Sequence, residues 1–523
     1  MRRASDPLWS LPLPPLILLT EAQMTFGQRL AVGTLWSFFE AWSHRLCHAA
    51  VFVALARLLS PADFGLASLA LVAVLLGQSL FGSGGMADFL VQRPLLQPRH
   101  IATTFWLLVA AGMLLMLGFL ALASVLAAAF DQPELTALIR AFAILLPLNA
   151  LAAVPDALLR REFRFKYLAL RSTLSVIAGG ACGMVMAWWG FGVWSLLGFY
   201  LTHKLTEIVI LWRAQPIRFW HRPAASCLRE ILGFAAYSSG ARLPQDIDQV
   251  VMRGTVGLVF GVNAVGYFHF ARSVLDQATN VLITPLTRVA MPAFSAVRGQ
   301  TERLQALLRL TSESMALFAF PCFLGLAVTA GAWVPLVFGP QWSAASGVVQ
   351  VLCLVGLTYP IGNLDVAVLR GLGRVDLEAK FSVIASLLLL AFLPPLAFFG
   401  LEGMAAALLL RSAVIVPLRF RAVSRCIGVS RRGEATALAR VMLQALGMTA
   451  VVAIWQVVAP EDLSVSVIFA GSVAIGAATY AVLLAILSQQ PIARLLSQAR
   501  RTRAEWAAPE RGQKPSPPPL QPS

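Results

Sequence analysis

Stretches of about 20 consecutive apolar residues, long enough to cross a bilayer as an α-helix, recur from residue 32 to residue 487 and decide what this chain can fold into. Hydropathy and flanking charge give about fourteen of them: 32–56, 64–87, 102–128, 136–158, 168–189, 191–212, 233–257, 264–287, 309–336, 343–369, 379–399, 402–420, 438–458 and 464–487. Inside hydrocarbon each backbone N–H and C=O must find its partner within the segment, so these runs are helices. The expected fold class is an all-α polytopic membrane protein with about 14 transmembrane helices. Composition agrees: 58% of residues are hydrophobic and 13% charged, with a mean hydropathy of +0.75, against roughly 25% charged in soluble domains. Ordinary soluble enzymes, disordered chains and fibrous chains are excluded.

The formal net charge is +16. Such a balance fits either a nucleic-acid binder or a membrane protein oriented by its cations. Position decides between them. With the N-terminus on the cytoplasmic side, 33 of the 41 Lys+Arg fall in inside segments. RREFRFKYLALR (160–171) and the stretch from Arg419 to Arg440 are the densest. The outside loops hold one cation, Arg57, and the carboxylates Asp63, Asp131, Glu134, Glu402, Glu461 and Asp462. Every loop obeys the positive-inside rule in the same sense, with both termini cytoplasmic. Nucleic acid is thus not needed as a partner; anionic lipid headgroups are the natural neighbours of these cations.

Loop sequences recur about 200 residues apart. LLSPADFG (58–65) is echoed weakly by VFGVNAVG (259–266), the segment 130–151 by 338–364, and WWGFGVWSLL (188–197) by FFGLEGMAAALL (398–409). Six helices separate the copies, an even number, so both keep the same orientation: a parallel repeat of two six-helix bundles. The expected organisation is a non-structural extension 1–24, a first bundle 25–215, a second bundle 216–425, two further helices within 426–490, and a disordered cytoplasmic tail 491–523. Prolines 12, 14 and 15 argue against a cleaved signal. The Pro-rich end PERGQKPSPPPLQPS has no apolar surface to bury.

Ionisable residues within the spans are the candidates for function, because they are costly there without a cavity or a partner. Arg45, Arg242, Arg253, Arg272 and Arg411 stand apart from the orientation charges. On the seventh span, Arg242, Asp246, Gln249 and Arg253 share one helical face, with Pro244 expected to kink it and Asp248 placed to meet a neighbouring helix. On the eighth, Arg272 and Asp276 are four residues apart, and Thr279 and Asn280 continue the polar side. The first carries Glu40, His44 and His48 on one face, with Arg45 beside them. Each group can be an interhelical ion pair or hydrogen bond that fixes packing. The alternative is a shared hydrated cavity between the two halves, whose arginines suit an anion because guanidinium matches phosphate oxygens bidentately. The spacing Gly179–Gly183 reads as close helix packing. The six cysteines lack metal or disulfide spacing, and no Walker A sequence occurs, so no cofactor or metal is expected.

LARLLSPADFGLASLA, FLVQR (89–93), MPAFSAVRGQTERL (291–304), the stretch 337–384 and GLEGMAAALLLRSAVIVPL (400–418) resemble the Wzx-like polysaccharide-biosynthesis flippases of the MOP superfamily. The pattern is that of the exopolysaccharide and colanic-acid branch and covers roughly 25–490. The resemblance implies two bundles around a V-shaped, alternating-access cavity. It implies transfer of undecaprenyl-pyrophosphate-linked oligosaccharides from the cytoplasmic to the periplasmic leaflet of a bacterial inner membrane. Polysaccharide polymerase and export machinery are the implied partners. On that reading Arg45, Arg242, Arg253, Arg272 and Arg411 are substrate contacts, and Glu40, His44, His48, Asp246, Asp248, Asp276 and Asp365 are their charge partners or coupling groups. A drug/cation antiporter of the same fold and a membrane glycan polymerase are the alternatives. Cationic cargo would favour carboxylates without opposing arginines, and a polymerase would need a large outside loop. Met24 is the expected initiator: N-terminal sequencing of the expressed protein should begin there, and residues preceding Met24 in the mature chain would remove the idea.

Overall fold

A computed structural model gives the chain's structure over residues 26–72, 74, 86–217, 224–240, 243–297, 300–428, 430–460 and 462–487. The expected extension 1–24 and tail 491–523 lie outside the described residues. Every regular element among the described residues is helical. The first half contains α1 (Phe26–Leu58), α2 (Pro61–Ala70), α3 (Met86–Gln92), α4 (Pro98–Ala129), α5 (Glu134–Ala143), α6 (Leu145–Arg161), α7 (Phe165–Trp188) and α8 (Trp194–Ala214). The second contains α9 (Ala225–Gly240), α10 (Leu243–Phe260), α11 (Val262–Leu282), α12 (Thr284–Ala296), α13 (Thr301–Val328) and α14 (Ala330–Phe338). A 3-10 turn (Pro340–Ala345) leads on to α15 (Ser346–Gly356), α16 (Tyr359–Gly371), α17 (Val375–Ala397) and α18 (Gly400–Ile427). The last two helices are α19 (Arg432–Val458) and α20 (Val465–Leu487).

Eight spans among the described residues are long and apolar enough to cross a membrane, with α5 and α6 counted as one. A ninth is the pair Pro340–Gly356 and Tyr359–Gly371, bent by 44°. The chain is a multi-pass membrane protein. Five further expected runs fall on α1, α2, α8, α9–α10 and α11–α12; residues 73 and 75–85 of the run 64–87 and residues 241–242 of the run 233–257 lie outside the described residues. In the seventh run α9 is described to Gly240 and α10 from Leu243; residues 241–242, just ahead of Pro244 where the kink is expected, lie outside the described residues.

Helix boundaries follow their local chemistry. Ser60 caps α2: its hydroxyl accepts from the Asp63 N–H at 3.2 Å, and the Asp63 carboxylate accepts from the Ser60 N–H at 2.9 Å, a reciprocal box that satisfies both donors. The turn from α6 to α7 and that from α16 to α17 are built alike. Phe163 (φ 57°) and Gly373 (φ 76°) each take the left-handed conformation, followed by Arg164 (φ −83°, ψ 56°) and Arg374 (φ −91°, ψ 52°) as the capping residues. The order α4, α5–α6, α7, α8 recurs as α13, α15–α16, α17, α18, each about 200 residues on. Several loop arginines also do structural work. Arg161 donates to the backbone carbonyls of Leu90 and Arg93 at 2.8 and 2.6 Å, closing the C-terminal end of α3.

The two halves meet most closely where α2 crosses α11. A methyl group at Gly65 would overlap the carbonyl oxygen of Val262, and one at Gly266 would overlap that of Pro61. The contact is reciprocal, and its two glycines are the last residues of the echoed segments 58–65 and 259–266. Aromatic rings fill the space beside it. Phe270 stacks on Trp342 with centroids 4.3 Å apart, and Phe64 meets the same indole edge-on at 5.3 Å. The fully buried Trp342 donates its Nε1–H to the Ala56 carbonyl at 2.7 Å, and Arg57 donates to the Val337 and Leu336 carbonyls at 2.6 and 2.8 Å. Gly179 and Gly183, spaced as a GxxxG pair, lie against Phe199 of α8, so that spacing serves close packing.

The two additional helices are tied on by charge. Arg431, buried at the start of α19, donates to Asp365 of α16 at 2.6 Å and through Nε to Glu434 at 2.6 Å, with its guanidinium 3.8 Å above the Phe420 ring.

Two predictions follow from this packing. Gly266→Leu should force α2 and α11 apart, costing roughly 1–3 kcal/mol of stability and lengthening the distance between spin labels at positions 58 and 263; an unchanged distance and melting temperature would refute the close approach. Arg431→Met strands two buried carboxylates and should cost roughly 3–5 kcal/mol. Thermal melting of the purified protein measures it, and Asp365→Asn in the same chain should recover part of the loss.

Candidate functional site

Polar faces of the second half converge on a cavity of about 750 Å³. Its walls come from α10, α11, α12, α16, α17 and α18, together with Thr358 ahead of α16. All lining residues fall between 248 and 419. Five are arginines: Arg253, Arg272, Arg370, Arg411 and Arg419, against a single lining carboxylate, Asp248. Three of these cations are paired with carboxylates, Arg272 with Asp276, Arg370 with Glu378 and Arg411 with Asp248, so the lining keeps a smaller positive excess.

Three of the residues expected from the sequence to touch substrate are here. Arg411 on α18 donates to Asp248 on α10 at 2.8 Å; the off-face position of Asp248 does find a neighbouring helix. Arg272 pairs with Asp276 one turn along α11 at 3.2 Å, as their spacing of four predicts. Arg253 lines the cavity from α10, with its Nη1 3.5 Å from the Ser68 carbonyl of α2. Thr279 lines the same wall, while Asn280 is exposed and accepts from the Thr284 hydroxyl at 3.2 Å.

Other expected residues lie elsewhere. Arg45 and Asp246 are half-buried and outside the lining. The side chains of Glu40 and Arg242 lie outside the described residues. His44 and His48 stack with centroids 5.9 Å apart, and His48 Nδ1 shares a hydrogen bond with Gln277 of α11 at 2.7 Å. His48 thus packs against α11 with His44 stacked on it, and neither lines this cavity. Asp365 is fully buried behind the wall, bound to Arg431. The first half has its own charge cluster: Arg171 pairs with Asp156 and Glu207, Lys204 with Glu207 at 2.5 Å, and Arg160 with Asp156 at 2.7 Å. Lys204 thus has a buried partner.

Arg370 and Arg419 line the cavity, although the sequence placed them among the inside orientation charges. The reason is length: α18 runs to Ile427, past the expected end of that span at 420, and α16 runs to Gly371. A signal existed. Tyr359, Asn363, Val366 and Arg370 fall at i, i+4, i+7 and i+11, the same spacing that marks the polar face of the seventh span, and Arg411, Ile415 and Arg419 repeat at intervals of four. All of these line the cavity, Val366 and Ile415 being the apolar ones among them.

The family model described as "Polysaccharide biosynthesis protein" matches residues 54–347, more than half of the chain. The chain is 26% identical over 356 residues to the lipopolysaccharide biosynthesis protein WzxC of Escherichia coli (strain K12), covering 66% of this chain and 70% of that protein. It is 26% identical over 324 residues to the succinoglycan biosynthesis transport protein ExoT of Rhizobium meliloti (strain 1021), covering 61% and 65%; the match thus spans about two thirds of each relative's length. In fold it is similar to the lipid II flippase MurJ in an inward closed conformation, with a TM-score of 0.73, 13% identity, and coverage of 88% of this chain and all of that one. A multidrug resistance MATE family transporter of the MOP superfamily, inward-facing, aligns at a TM-score of 0.55 and 16% identity over 76% of this chain and 97% of that one. The all-α architecture is thus that of MurJ and the MATE transporters, and the chain belongs to the polysaccharide biosynthesis protein family.

Proposed function

We propose that this protein is a flippase that carries undecaprenyl-pyrophosphate-linked oligosaccharide units from the cytoplasmic to the periplasmic leaflet of a bacterial inner membrane, for assembly of an exported polysaccharide. The observation that carries the reading is the cavity with five arginines and one lining carboxylate, inside a fold similar to a lipid II flippase. Relatives named for polysaccharide biosynthesis and transport support the cargo class.

The physical obstacle is a pyrophosphate and a polar glycan facing about 30 Å of hydrocarbon. Guanidinium groups and hydroxyls in the cavity replace the water around those groups, while the polyprenyl tail stays in lipid. Cations fixed by the fold supply that stabilisation without reorganising at the moment of transfer. Bundles 25–215 and 216–425 act as the two moving bodies, with helices in 426–490 attached to the second. The reciprocal contact at Gly65 and Gly266 sits at the periplasmic end, where the positive-inside assignment puts segments 58–65 and 259–266, and parts to release cargo. Both termini are cytoplasmic, and a polymerase and export machinery receive the product. The protein performs transport and no bond-making chemistry. A drug/cation antiporter is disfavoured by the same lining, since a cation would meet arginines on most sides.

Deleting the gene in a strain with no second flippase should stop lipid-linked repeat units from reaching the periplasm; continued arrival would overturn the function. Arg272→Ala, alone and with Arg242→Ala, should lower export severalfold while membrane insertion is kept, as expected for loss of charge-assisted hydrogen bonds. Full export by the double variant would remove both arginines from the site.

A further inference from the structure

Arg57 is the one cation of the segments assigned to the outside, and it lies far along the chain from the residues that line the cavity. It forms no ion pair among the described residues. From the last turn of α1 it reaches across to the other half, where Nε donates to the Val337 carbonyl at 2.6 Å and Nη2 to the Leu336 carbonyl at 2.8 Å. Both acceptors lie in the last turn of α14.

Proline explains why that helix end needs a donor from elsewhere. In a continuing helix the Leu336 carbonyl would accept from the N–H four residues on, but residue 340 is proline and has none. The end of α1 has the same defect. Pro61 stands four residues after Arg57 and offers its carbonyl no N–H. Ser60, four residues after Ala56, gives its N–H to the Asp63 carboxylate at 2.9 Å. The other half supplies the missing donors: Trp342 Nε1 donates to the Ala56 carbonyl at 2.7 Å, and Gln341 Nε2 to the Ala56 and Arg57 carbonyls at 3.2 and 3.4 Å. Thus α1 and α14 exchange caps. Each C-terminus, left open by a proline, is closed by side chains of the opposite half.

The same end holds the Gly65–Gly266 crossing and the interlocked rings of Phe52, Phe64, Phe270, Phe338 and Trp342. Rings bury apolar surface and favour closure. The caps act differently. Arg57 is exposed and Gln341 half-buried, so water can replace their hydrogen bonds when the halves part, and only the difference between the two sets of bonds is lost. Contacts of this kind bias the closed state and keep it reversible.

We infer that the exchanged caps of Arg57, Gln341 and Trp342 form a latch that holds the two halves together at this end, with Arg57 as its main member. The inference rests on the proposal that the two bundles move as separate bodies, and goes beyond it by naming the bonds that break when they part. It also accounts for a cation where orientation charges are otherwise absent: the planar guanidinium spans two successive carbonyls of one helix end, whereas a lysine ammonium is a point charge without that fork.

The test uses the full chain in lipid nanodiscs, with spin labels on unnatural amino acids at positions 191 and 399, both exposed. The turn holding the first lies against Asp63 through Gly192, and Glu402 beside the second lies over Gly347, so both report on this end. Pulsed dipolar spectroscopy reads the ratio of short to long distances. Arg57→Ala should shift that ratio towards long distances by about fivefold or more, the scale of lost hydrogen bonds to a charged group, while the melting temperature stays near the parent's because the side chain is exposed. Gln341→Leu and Trp342→Phe, the second keeping a ring, should shift it the same way by less, and Arg57→Lys should fall between Arg57→Ala and the parent. Gly266→Leu parts the halves sterically and serves as the reference for the long distance. Long distances in Gly266→Leu beside a parent-like ratio in Arg57→Ala, Gln341→Leu and Trp342→Phe would overturn the latch and leave the two-body reading standing. Parent-like distances in all four would overturn both.

Discussion

Backbone touches backbone where α2 crosses α11, and much of the molecule's geometry depends on that contact. The carbonyl oxygens of Val262 and Pro61 occupy the space a side chain would need at Gly65 and Gly266, so glycine at both positions is a condition of the approach. At this separation Phe64, Phe270 and Trp342 interlock, and the Trp342 indole reaches the Ala56 carbonyl. Each half offers the other the start of a helix with glycine as its fifth residue. Such a reciprocal contact can hold two similar bodies together at one end and leaves their other ends free to differ.

Charge within the bilayer follows an equally strict rule: a buried ionisable group is matched by the protein or by something the protein binds. The Arg431–Asp365–Glu434 cluster and the pairs around Glu207 are matched internally and join helices. In the cavity Arg272, Arg370 and Arg411 hold carboxylates, whereas Arg253 and Arg419 form no ion pair among the described residues. The difference between the two kinds of arginine lies in their neighbours, because the side chains are identical and their helices equally apolar.

Much of the fold was legible from the residues. The apolar runs and loop charges indicated an all-α, multi-pass chain, and the echoes between 58–65 and 259–266 pointed to positions that meet in the structure. Arg272–Asp276 was readable because its partners share one helix. Arg411–Asp248 was half-readable: Asp248 was visibly off the polar face, but which helix it would meet depends on packing. The histidine face of α1 shows the limit of periodicity, since one helical stripe looks the same whether it faces water or Gln277. Arg370 and Arg419 were hidden by their positions near span ends, where orientation charges are also found.

What the sequence determined by itself is therefore the class of object: membrane-spanning helices and the resemblance to flippases, with an orientation and an internal repeat read as expectations. These depend on local quantities, namely hydropathy over about 20 residues and charge near helix ends. The tertiary structure alone decided which arginines keep a carboxylate and which do not. That choice is made by side chains up to 163 residues apart, as for Arg411 and Asp248. Helical periodicity can place a residue on a face, but only packing determines what that face meets.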